Sequence, residues 1–64
     1  MLFRTFEKGL KVKIQYPDYV SGETGVILSP ELERDGKTTG YWLVQVIDTD
    51  IVVALLPDEW SLLS

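Results

Sequence analysis

The residues best placed for chemistry in this 64-residue chain are two acidic pairs, Asp48 with Asp50 and Asp58 with Glu59. Paired carboxylates can share a proton for acid–base work or hold a hard cation. Here they have no companions. The chain contains neither histidine nor cysteine, which removes the commonest general base and the thiolate nucleophile, and with them cysteine-based zinc sites and disulfides. No third carboxylate follows at calcium-loop spacing. Ser21, Ser29 and Ser61 have no histidine to activate them. Gly22 and Gly25 stand outside any Gly-Lys-Ser/Thr or Gly-x-Gly-x-x-Gly pattern, so they form no phosphate loop. As turn acids and a helix-start pair, the carboxylates are fully explained. The expectation is a protein that is not an enzyme, with no cofactor and no metal.

What must position these groups is small. A chain of this length buries about 60% of the surface its unfolded form exposes, so every large apolar residue counts. One domain over residues 1–64 is expected, with 1–7 as a flanking segment. Nothing in Met1 to Phe6, which carries Arg4, reads as a signal peptide, and no apolar run reaches the ~20 residues that span a bilayer. A cytoplasmic location without membrane insertion is the expectation, peripheral association with a membrane complex staying open. The net charge is −4, and it is unevenly placed. Residues 1–16 hold Arg4, Lys8, Lys11 and Lys13 against Glu7, while the rest holds nine acids against Arg34 and Lys37. Such a dipolar surface can orient a domain on a charged partner.

Leu10, Val12, Ile14 and Tyr16 alternate with Lys11, Lys13 and Gln15, the period of a half-buried strand. Pro17-Asp18 stops it, and Tyr19 to Gly22 makes a loop. Thr24 to Leu28 reads as a second strand, with Gly25 marking a bend or a close backbone approach. Ser29-Pro30 ends that strand, and Glu31 to Gly40 is an exposed hairpin connection turning at Asp35-Gly36. Tyr41 to Ile47 is the third strand, Asp48-Thr49-Asp50 a tight turn, and Ile51 to Leu56 the fourth. Pro57 to Trp60 suits one helical turn, with proline at its start and acids at its positive end. Ser61 to Ser64 closes the set. The expected fold is all-β, a small barrel of five antiparallel strands with one helical turn before the last. Its core is expected to include Val12, Ile14, Val26, Val44, Val46 and Val53.

This order, with Gly9 to Ile14 as a Gly-x-x-Val-x-Ile opening, Gly22 to Ile27 as Gly-x-x-Gly-Val-Ile, and Pro57 to Leu62 as a Pro-Asp-Glu-x-x-Leu ending, resembles the SH3-like and KOW-type small barrels. In size and layout it is similar to small accessory subunits of photosynthetic complexes. Those include subunit IV of the photosystem I reaction centre, subunit S of the NAD(P)H dehydrogenase-like complex, and the variable chain of ferredoxin–thioredoxin reductase. The resemblance spans roughly residues 8–63 and implies a non-catalytic accessory subunit. Several of those relatives present basic surface to acidic ferredoxin, and this chain is acidic outside its first strand.

Tyr16, Tyr19, Tyr41, Trp42 and Trp60 fall at strand ends or in flanking turns, where rings can line a shallow groove for a peptide. Trp42 and Trp60 equally suit a core short of large residues. The expected partner surface joins Tyr16, Tyr19 and Trp60 to Lys11 and Lys13 on the outer face of the first strand. The fourth strand has no polar residue, so both its faces are apolar and one needs a cover. Leu2, Phe3 and Phe6 with Leu62 and Leu63 are one candidate cover. A second copy of the chain, as a homodimer, or a host complex is the other. Two function classes follow: a protein-interaction module or accessory subunit of a larger complex, and a KOW-type nucleic-acid or ribosome-associated module. Acidity counts against the second, since phosphate contacts need basic surface.

Overall fold

The computed structural model describes residues 6–63; the expectations placed on Leu2, Phe3 and Ser64 lie outside them. Strict alternation makes the first strand. In β1 (Lys11–Ile14), Val12 and Ile14 are fully buried while Lys11 and Lys13 face water. β2 (Thr24–Leu32) and β3 (Thr38–Val46) form a long hairpin, followed by β4 (Val52–Leu55) and β5 (Trp60–Leu62). All pairings are antiparallel in one five-stranded sheet of order β4-β3-β2-β1-β5. The sheet is open where a closed barrel is expected: β4 and β5 are its two edges, with no ladder between them among the described residues.

Two short 3-10 turns complete the described residues. Pro57–Glu59 is the helical turn that the proline and the acids predict. Asp18–Val20 is a second one, where the sequence reads only as loop. Its anchor is Val20, buried to 3% exposure, which pins an otherwise polar segment to the core.

The core consists of Val12, Ile14, Val20, Ile27, Val44, Val46, Val53, Leu55 and Trp60, with Phe6, Leu10 and Trp42 packed against it. Val26, expected inside, is half-buried on the other face. Register explains this. Val26 lies opposite Lys11, and Gly25 lies opposite Val12, and cross-strand partners share a face. Ile27 therefore takes the inward place. Phe6 wedges between the tryptophans, edge-on to both, with ring centroids 5.2 Å from Trp42 and 5.3 Å from Trp60.

The segment from Glu31 to Gly40 is less of a loop than its polarity suggests. β2 runs through Pro30 to Leu32, and β3 starts at Thr38. Among the described residues only β3 pairs with β2 beyond Leu28, and register shifts flank Pro30, so its missing N–H interrupts little of the ladder. The turn proper is tight. Gly36 N–H donates to Glu33 C=O at 2.9 Å and Glu33 N–H to Lys37 C=O at 2.8 Å, with Gly36 at φ 86°. That is a three-residue hairpin loop in which glycine takes the left-handed position.

Candidate partner surfaces

The loop after β1 is built to hold rings in water. Gln15 and Tyr16 N–H both donate to Glu59 C=O, at 2.8 and 3.2 Å, tying the end of β1 to the second 3-10 turn. Val20 N–H donates to Pro17 C=O, Ser21 N–H to Asp18 C=O, and Gly22 N–H to Ile14 C=O. With these backbone groups satisfied and Val20 inside, the loop is fixed at both ends. Tyr16 is 60% exposed and Tyr19 75% exposed, large apolar rings left to water on a hydrogen-bonded platform. Lys11 and Lys13 are exposed on the outer face of β1.

Trp60, the third ring expected there, is not on that surface. It is 6% exposed, opposite Ile14 in the ladder and edge-on to Phe6. β5 begins at Trp60, and its partner Ile14 faces inward, so the indole must follow it into the core. The structure thus leaves two exposed tyrosines and two exposed lysines from the expected set. Gln15, which the alternation marks only as an outward polar position, bridges this region to β5: its Nε2 donates to Ser61 Oγ at 2.9 Å.

Of the acidic pairs, Glu59 has a structural hydrogen bond. Leu56 N–H donates to Glu59 Oε1 at 2.8 Å and Glu59 N–H returns to Leu56 C=O at 2.9 Å, closing the 3-10 turn reciprocally. In the β3–β4 turn the organiser is Thr49, whose Oγ1 donates to Val46 C=O at 2.9 Å and accepts from Ile51 N–H at 3.0 Å. Asp48 and Asp50 flank it in water, Asp48 at φ 64°, a conformation aspartate tolerates. Among the described residues no group of three or more His, Cys, Asp or Glu could hold a metal ion, and no helix is long and apolar enough to cross a membrane.

The outer face of the sheet is the other exposed feature. Its rows run Lys13–Thr24 and Lys11–Val26–Gln45–Val52, with Leu43 beside Ala54. Val52 on this face is 48% exposed; Ile51, in the turn before it and at the opposite parity, is 47% exposed. Leu62 and Leu63, one expected cover for this face, are themselves 60% and 44% exposed, and Phe6 packs against the buried cluster instead. No protein family, curated protein or solved structure matches this chain.

Proposed function

We propose that the chain is a non-catalytic protein-interaction module of the SH3-like small-barrel kind, acting as an accessory subunit that binds another protein. The observation that carries this reading is the pair Tyr16 and Tyr19, 60% and 75% exposed on a loop whose backbone is hydrogen-bonded at both ends. A 7.3 kDa domain with a small core gains more stability from buried rings than from exposed ones, and rings concentrate binding energy when a partner covers them. Lys11 and Lys13 on the neighbouring strand favour an acidic partner and raise the rate of encounter. The five antiparallel strands and the helical turn before the last one agree with the SH3-like layout.

The test is retention of partners from a native extract by the immobilised chain and by its Tyr16→Ala/Tyr19→Ala variant. A protein held by the first and released by the second supports the reading. Retention of RNA, falling steeply as salt rises, would replace it with the nucleic-acid reading that the same lysines and tyrosines permit.

A further inference from the structure

β4 is an edge with its hydrogen-bonding groups left over. Val46 N–H donates to Ile51 C=O at 2.9 Å, and the pairs Val44–Val53 and Trp42–Leu55 continue that parity. In an antiparallel ladder, Val53 and Leu55 then turn their N–H and C=O toward β3, while Val52, Ala54 and Leu56 turn theirs outward. At Leu56 both outward groups are used by Glu59. At Val52 and Ala54 they meet no partner among the described residues. Edge strands are usually blunted by lysine, proline or an inward charge. Val52-Val53-Ala54-Leu55 carries none of these, and the Val52 side chain is 48% exposed beside them.

The charges around this edge choose its occupant. Asp48 and Asp50 stand exposed before β4, and Asp58 stands exposed after it. Two copies pairing antiparallel through Val52 and Ala54 would centre on Val53 and bring Asp48 of one copy level with Asp58 of the other. That sets acid against acid at both ends, between chains of net charge −4, and like charges brought together oppose association. An extended segment with apolar residues at alternate positions and basic residues at its ends meets the opposite condition.

We propose that the free edge of β4 is a β-augmentation site that adds a strand from a partner protein, apolar in its middle and basic at both ends. Main-chain bonds to Val52 and Ala54 supply the affinity and the aspartates select the charge. The groups it uses, on Val52 and Ala54, are not those of the tyrosine platform, although both regions adjoin the 57–59 turn, where Glu59 bonds to Tyr16 and Leu56.

The probe is a blocked peptide Lys-Thr-Val-Thr-Val-Lys titrated into the full chain labelled with 15N, with Glu-Thr-Val-Thr-Val-Glu as its counterpart. The expected result is saturable amide shifts and new exchange protection at Val52 and Ala54. The acidic peptide should bind about tenfold more weakly at low salt. Val52→Lys, which changes only an outward side chain, should abolish the shifts while leaving the spectrum of a folded chain, and Asp50→Lys/Asp58→Lys should invert the peptide preference. The proposal is overturned by any of three results. Shifts confined to Tyr16 and Tyr19 would move binding to the platform and leave the proposed function standing. Protection at Val52 and Ala54 that grows with protein concentration alone would make the occupant a second copy. Protection there in the dilute free chain would mean that the edge is already occupied by the chain's own residues.

Discussion

Gly25 of β2 lies so close to Val44 of β3 that a Cβ on the glycine would overlap Val44 Cγ1 and sit 3.2 Å from Ile14 Cδ1. The missing side chain is what lets β1, β2 and β3 share one layer of core at Val12, Gly25 and Val46. Gly25→Ala should therefore destabilise the fold by about 1–3 kcal/mol, the cost of overpacking a filled core. Gly9, where a Cβ meets nothing within 4 Å and only the φ of 91° matters, is the control: Gly9→Ala should cost about 1 kcal/mol. Urea denaturation of both variants measures the difference, and equal losses would contradict the close approach.

Phe6 should contribute more than its place in the sequence suggests. It makes edge contacts with both tryptophans, each worth about 0.5–1.5 kcal/mol beyond area burial. Phe6→Ala should cost about 2–3 kcal/mol and shift the tryptophan emission to longer wavelength as water reaches the rings. Phe6→Leu, which refills most of the volume without the ring contacts, should recover about half. A stability change below ~0.5 kcal/mol for Phe6→Ala would mean that the wedge is not formed in solution.

These two residues also show how far the fold was legible. β1 could be read directly because lysines mark one face and Val12 and Ile14 the other. In β2 the run Val26-Ile27-Leu28 has no polar residue to set its parity, so the face was decided by the Gly25 approach, a tertiary contact that no local pattern carries. In the hairpin the exposed turn at Asp35-Gly36 is legible but the strand ends are not: charge and glycine between Glu31 and Gly40 look like loop, yet backbone pairing carries β2 to Leu32 and starts β3 at Thr38 without apolar side chains. Among the rings of the expected partner surface, the exposure of Tyr19 follows from its loop position. The burial of Trp60 was not legible, since core and surface compete for an indole and only its pairing with Ile14 decides. The outward turn of the Val52 and Ala54 backbone groups is invisible in sequence, because parity follows from which strand lies alongside.

Glu59 is an acid with a structural task. Its carboxylate accepts from Leu56 N–H at 2.8 Å, and without it a part-buried donor loses its partner. Glu59→Ala should lower stability by about 1 kcal/mol, as loss of a comparable helix cap does. Glu59→Gln keeps an oxygen at the same place and should cost about half of that or less. Thermal unfolding of the two variants reads the difference. If neither variant lost stability, the carboxylate bond would contribute nothing and the 3-10 turn would rest on Pro57, the Glu59 N–H to Leu56 C=O bond and packing.

Tyr19 and Val20 are neighbours with opposite fates, 75% and 3% exposed, and the platform reading depends on that contrast. Val20→Ala opens a cavity beneath the first 3-10 turn and should cost about 1–3 kcal/mol, releasing the loop between Pro17 and Gly22. Tyr19→Ala removes a ring that touches water, so stability should stay within ~0.5 kcal/mol of the parent. Binding should reverse the order of importance. Once a partner is identified, Tyr19→Ala should weaken it by about 1–2 kcal/mol with the fold intact. Val20→Ala should weaken it only as far as the loop is loosened, and 15N relaxation of residues 17–22 would report that loosening independently. A Tyr19→Ala variant that binds as well as the parent, with unchanged stability, would remove Tyr19 from the partner surface and leave Tyr16 with the two lysines of β1 as what remains to test.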